Sequence, residues 1–203
     1  MEVTPQKELI IRAPKHLSDA KIEEFIDRKK RWINKKSGQL AKYSPKRFID
    51  GEEFLYLGNL YQLHFSDKNL SGVYFNDGFY IYQGNQGKAK ELMVDWYKGR
   101  ALDWLTRRVE KYGSLIDCRP NQVKVSWAKK RWGSYSCKTR NINFNWRIVM
   151  APLMVVDYLV VHELVHGEYQ NHSKKFWDRV GEVLPDYKKP RRWLKDNWLL
   201  LRL

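Results

Sequence analysis

The stretch HELVHGEYQNH, from His162 to His172, holds three of the chain's five histidines. A neutral imidazole nitrogen is a good zinc ligand, and two histidines four apart on a helix project on one face, one turn apart. His162 and His166 therefore suit two corners of one tetrahedral ion. Glu163 is displaced about 100° around the helix axis, where its carboxylate can reach a water at the metal without being a ligand. A catalytic zinc takes three protein ligands and keeps one position for water, so a third must come from elsewhere. His172, past a chain reversal at Gly167, is the leading candidate, with Asp178 and Glu182 further on as carboxylate rivals. The spacing equals that of the pattern HExxHxxGxxH, but Tyr169 stands at the pattern's glycine. The turn must then be built differently, with Gly167 or Asn171 taking any left-handed conformation. The competing reading is a half-buried core helix that happens to carry histidine. His16, in APKHLS, and His64, beside Gln62 on the wetter side of a strand, read as surface residues.

Several elements must position these groups. Pro152 suits the first turn of a helix running through His166, and Gly167 suits its end. Ser173 is the expected cap of a following helix with Phe176, Trp177, Val180, Val183 and Leu184, stopped by Pro185. A terminal helix is expected after Pro190. Upstream, QVKVSWAKKRWGSYSCKTRNINFNWRIVM reads as strand, basic turn and strand, since Ile142, Phe144, Trp146 and Ile148 alternate with Asn141, Asn143, Asn145 and Arg147. A long amphipathic helix is expected from Lys88 to about Tyr112, with Leu92, Trp96, Leu102, Leu105, Val109 and Tyr112 as its stripe and Gly113 as its end. Before it, apolar runs around Gly58-Asn59 and around Asn76-Asp77-Gly78 predict two β-hairpins. ELIIRAP predicts a short strand, and Ser18 caps a helix from about Asp19 to Lys36 with Ile22, Phe25, Ile26, Trp32 and Ile33 inward and Gly38 as its stop. The fold class is α+β, divided into an N-terminal α+β unit (1–87) and a catalytic unit (88–203).

Composition bounds the partners. The 203 residues, 43% hydrophobic with nine Trp, can fill a core, while a net charge of +15 favours polyanions. Basic clusters stand at 29–32, 107–108, 129–131 and 188–192. They read first as solvated faces, with nucleic acid as a possible partner because interleaved Trp and Tyr can stack on bases. The longest apolar run, LMVVDYLVV, is interrupted by Asp157 and is short for a membrane span, so no membrane insertion is expected. Cys118 and Cys137 form no CxxC pair and the N-terminus is polar, which predicts reduced thiols in a cytoplasmic protein.

RWGSYS, NINFNWRIVMAPLMVVDYLVVHELVH and NHSKKFWDRVGEVLPDYKKPRRWLK together resemble the YgjP-like metal-dependent hydrolases, relatives of the WLM and SprT-like zincin peptidases. RAPKHLSDAKIEEFIDRKKRWI and YLGNLYQL extend the resemblance to the N-terminal half. It implies a minimal zincin-like core of β-hairpin, HExxH helix and C-terminal helices. It also implies a Zn2+ ion held by His162, His166 and His172, Glu163 as catalytic base, and a protein or peptide substrate. Where the family pattern reads RWGSCS, Tyr135 replaces the cysteine and Cys137 follows two residues later. The expected chemistry is metallopeptidase hydrolysis: zinc acidifies water, and Glu163 takes its proton and passes it to the leaving amine. Arg131, Tyr135, Asn143 or Tyr169 would stabilise the oxyanion, and NINFNWR would be the edge strand that pairs with an extended substrate. The alternatives are a basic nucleic-acid-binding module with a structural zinc, or a protease recruited to DNA.

Overall fold

A computed structural model describes residues 1–3, 8–41, 45–128 and 131–203. The chain divides into two compact units, Met1–Lys46 with Arg202–Leu203, and Arg47–Leu201. The 87/88 division expected from sequence falls inside the larger unit. The smaller unit holds β1 (Glu2–Val3), paired antiparallel with β2 (Leu9–Ile10), and helix α1 (Asp19–Ala41). Helix α1 runs through Gly38 rather than stopping there. Glycine lowers helix stability by about 1 kcal/mol relative to alanine without forcing an end.

In the larger unit, β3 (Glu53–Tyr56) and β4 (Asn59–Ser66) form the first hairpin. Its two-residue loop is Leu57-Gly58, one position earlier than the sequence suggested, with φ of 49° and 87°. Both values are positive, as a turn that matches strand twist requires. A Cβ on Gly58 would lie 2.9 Å from Pro152 Cα, so glycine also lets this turn sit against the start of the histidine helix. The second hairpin, β5 (Val73–Phe75) and β6 (Phe79–Tyr82), turns at Asn76-Asp77-Gly78 as expected. A parallel pairing of β4 with β6 joins the hairpins into one sheet, ordered β3-β4-β6-β5.

Helix α2 (Ala89–Ile116) is the central rod. Its buried line is Met93, Tyr97, Ala101, Leu105, Val109, Tyr112 and Ile116, so Leu92, Trp96 and Leu102 of the expected stripe lie off it. The helix passes through Gly113, and Asp117 takes the left-handed terminal position. Gly113 is small for a different reason, since a Cβ there would meet the Cys118 carbonyl oxygen at 2.6 Å.

The second sheet has three strands where the sequence reading had two. These are β7 (Gln122–Ser126), β8 (Gly133–Ser136) and β9 (Asn141–Asn145), ordered β7-β9-β8. Strand β9 is parallel to β7 and antiparallel to β8, so it is central. NINFNWR therefore cannot be the substrate edge, and β8 takes the edge beside the histidines. The alternation also stops at Asn145, after which Trp146–Met150 form a 3₁₀ turn. Asn145 is buried because its amide is satisfied, accepting from the Arg147 N–H at 3.0 Å and donating to the Ala128 carbonyl at 2.8 Å. Three helices follow: α3 (Leu153–Val165), α4 (Lys174–Val183) and α5 (Lys188–Asn197), with Pro190 inside the first turn of α5. No described helix is long and apolar enough to cross a membrane.

Candidate metal centre

Helix α3 is almost wholly apolar, and Val155, Val156, Leu159, Val160 and Leu164 are buried. Its two imidazoles come from its C-terminal end, where His162 and His166 line a cleft of about 570 Å³. The chain reverses directly after His166. Gly167 N–H donates to the Leu164 carbonyl at 2.9 Å, and the Glu168 and Tyr169 N–H groups donate to the Val165 carbonyl at 3.0 and 2.9 Å. Neither Gly167 nor Asn171 has a positive φ, so the expected left-handed residue is absent from the reversal. Gly167 is needed for space instead, because a Cβ there would stand 2.8 Å from Cys118 Sγ and 3.0 Å from the Leu164 carbonyl oxygen. Ser173 precedes α4 but makes no side-chain cap, and its N–H donates to Asn171 Oδ1 at 3.2 Å.

This turn returns His172 to the helix face. The potential ligand atoms of His162, His166 and His172 lie within 4.8 Å of one another, and Nε2 of His162 is 3.1 Å from Nε2 of His172. Two imidazole nitrogens on a tetrahedral zinc, with Zn–N bonds near 2.0–2.1 Å, lie about 3.3 Å apart, so the spacing fits one shared ion. The Tyr169 carbonyl accepts from His166 Nδ1 at 2.9 Å, which leaves Nε2 of His166 free as a ligand atom. Burial, aided by the neighbouring histidines, lowers the His162 pKa to about 3. Burial and His166 lower that of His172 as well, and the neutral ring is the form that binds metal. Fully buried Phe176 lies beneath the triad, with ring centroids 5.0, 4.7 and 4.8 Å from those of His162, His166 and His172. The rivals are engaged elsewhere, since Asp178 pairs with Lys174 at 2.7 Å and Glu182 with Arg179 at 3.0 Å.

Glu163 is 5% exposed and lines the same cleft. Burial pushes its carboxyl pKa up to about 8, against the opposing pull of the Arg131 charge and of a hydrogen bond from the Tyr135 N–H. Strand β8 leaves room for this carboxyl only because residue 133 is glycine. A Cβ there would lie 2.5 Å from Glu163 Oε1 and 2.6 Å from its Cγ. The sequence reading missed Gly133 as a site residue, although RWGS marked the place.

Of the four oxyanion candidates, Arg131 and Tyr135 line the histidine cleft, while Asn143 lines a smaller one of about 160 Å³ beside it. Tyr169 serves the site through its carbonyl. The Tyr135 hydroxyl accepts from the Cys118 thiol at 3.7 Å. Cys137 also lines the cleft, and its thiol donates to the His166 carbonyl at 3.6 Å. Both thiols are free. His16 is exposed, and His64 is half-buried, 3.9 Å from Asp50. Of the basic cluster at 129–131, Lys129 and Lys130 lie outside the described residues. A second cleft of about 580 Å³, between α2 and β7, is lined by Leu102, Val109, Pro120 and Val123 and does not include the histidines.

A family model described as "YgjP-like, metallopeptidase domain" matches residues 1–197. No curated protein matches the sequence. Among solved structures, the metallopeptidase zymogen of Pyrococcus abyssi abylysin is similar at a TM-score of 0.41 and 21% identity, covering 45% of this chain and 92% of that one. The metallopeptidase zymogen of Methanocaldococcus jannaschii jannalysin is similar at 0.41 and 18% identity, covering 46% and 96%.

Proposed function

Since the chain belongs to the YgjP-like metallopeptidase family, we propose that it hydrolyses peptide bonds in a protein or peptide substrate, with His162, His166 and His172 holding zinc and Glu163 moving the proton. The observation that carries this reading is the meeting of three imidazoles with one buried carboxyl in a single cleft. Zinc in such a site supplies Lewis acidity toward water and the scissile carbonyl.

The protein groups do the rest. The Glu163 carboxylate accepts a proton from the attacking water and delivers it to the leaving amine. The Tyr135 N–H and the gap at Gly133 hold that carboxylate against the cleft. Strand β8 pairs with β9 along one side, so its other side can hydrogen-bond an extended substrate. Arg131, in the same cleft, is the best placed of the four candidates to meet negative charge on the carbonyl oxygen.

A nucleic-acid-binding module with structural zinc explains the +15 charge. It does not explain a buried carboxyl beside the ligands, and structural zinc sites take four protein ligands where this cluster offers three. The test is a peptide-library cleavage assay on wild type and Glu163→Gln. Cleavage by wild type that disappears in the variant is expected. Equal cleavage by both proteins would overturn the assignment of Glu163, and none by either would overturn peptide hydrolysis.

A further inference from the structure

His162 and His166 are held by a buried helix, but His172 is exposed and comes from the loop before α4. An exposed imidazole samples several rotamers, and every non-ligating rotamer lowers the apparent affinity for metal. Besides Phe176 and the two other histidines, its ring meets Trp177. The two rings are stacked with centroids 5.6 Å apart and planes 21° apart. The indole also lies 5.7 Å from the His162 ring, so it touches two of the three imidazoles.

Trp177 is itself backed by the next helix. Tyr187 stacks on it at 5.5 Å with planes 13° apart, and the Arg191 guanidinium carbon lies 4.0 Å from its ring centroid. Tyr187 and Arg191 are one helical turn apart and are joined by the Arg191 N–H donating to the Tyr187 carbonyl at 3.1 Å. A continuous stack thus runs from the start of α5 through Trp177 to the loop histidine. Resting on the zinc reading above, the geometry points to Trp177 as a positioning residue that holds the His172 ring in its ligating orientation and so sets zinc affinity, with Tyr187 and Arg191 as its support. Phe176 touches all three imidazoles but is fully buried, so its replacement would disturb the core. Trp177 is half-buried, which separates its role from folding.

The test is zinc affinity of the full chain, by competition with a chromophoric chelator, for wild type, Trp177→Phe, Trp177→Leu and Tyr187→Leu, with thermal melts of the metal-free proteins alongside. An aromatic stack of ordinary strength corresponds to roughly three- to ten-fold in zinc affinity, which is the loss expected for Trp177→Leu. Trp177→Phe keeps a ring face and should stay within about two-fold of wild type, and Tyr187→Leu should fall about two- to three-fold by loosening the support. Unchanged affinity in Trp177→Leu, or an equal loss in Trp177→Phe, overturns the inference. If Trp177→Leu does not fold, Tyr187→Leu decides: unchanged affinity there overturns the inference equally. A wild-type chain that takes up no zinc overturns the proposed function instead, so the two failures are distinguishable.

Discussion

Replacing Gly133 with alanine adds one methyl group, and the structure says where it goes. The new Cβ would stand 2.5 Å from Glu163 Oε1, 2.6 Å from its Cγ and 2.7 Å from its Cδ. Ordinary carbon contacts begin near 3.5 Å, so the carboxyl must retreat by about 1 Å. The backbone at Gly133 is not left-handed, so alanine costs nothing in φ, and the atoms it meets belong to the Glu163 side chain, not to backbone. The fold and the three histidines should therefore survive while the base moves. A misplacement of 1 Å in a reacting group can cost about 100-fold, equivalent to about 2.7 kcal/mol of transition-state stabilisation. The assay is kcat/KM on a peptide drawn from library cleavage, with zinc affinity and melting temperature measured on the same preparations. The expected result is a fall of about 100-fold with zinc affinity unchanged. Activity within three-fold of wild type would refute the claim that glycine is there to seat Glu163.

Further outcomes follow from the same geometry. His166→Ala removes one of the three proposed ligands and should purify with little zinc, whereas Glu163→Gln should keep its zinc and lose about 100-fold or more of its cleavage activity; metal analysis and peptide cleavage by the two variants check both. A chelator should abolish cleavage by wild type and added zinc should restore it. In the metal-free protein Glu163 ionises later when folded, at about 8, than when unfolded, near 4.5. Its contribution is fully present below pH 4.5 and is lost as pH rises toward 8, while His162, lowered to about 3, works the other way below about 6.5. Denaturant melts should show wild type declining relative to Glu163→Gln between about pH 4.5 and 8, and parallel pH profiles would refute the assigned cause. The +15 charge predicts association with single-stranded nucleic acid at low salt that weakens steeply as salt rises and is indifferent to Glu163→Gln; fluorescence anisotropy across a salt series checks it.

The candidate site was legible to the extent that it rests on local periodicity. His162 and His166 share a face because any helix of 3.6 residues per turn places positions four apart together, and Glu163 stands off that face for the same reason. Pro152 and Pro185 likewise marked helix boundaries through the missing N–H and fixed φ of proline. The glycines were less informative. Gly38 and Gly113 read as stops, yet both lie inside helices, because glycine permits an ending without requiring one.

Strand β8 was hidden for a related reason. Its residues, Gly-Ser-Tyr-Ser, carry no apolar alternation, since what they face is a carboxyl and a cleft. Its presence turns β9 from the expected edge into the centre of the sheet, which moves the expected substrate edge to another segment of chain. Pairing between strands that no short turn joins, as between β7 and β9, is settled by hydrogen bonds between residues distant in sequence, and no local pattern records it.

By itself, then, the sequence determined that two imidazoles and a carboxyl occupy adjacent positions on one apolar helix, because helical geometry depends only on neighbours in the chain. Only the tertiary structure decided that His172 turns back to them without a left-handed residue, that Gly133 vacates the space Glu163 fills, and that Trp177 stacks on the exposed His172 ring. Each of those depends on the volume and direction of side chains brought together from separate elements, and that volume is shared only once the chain has folded.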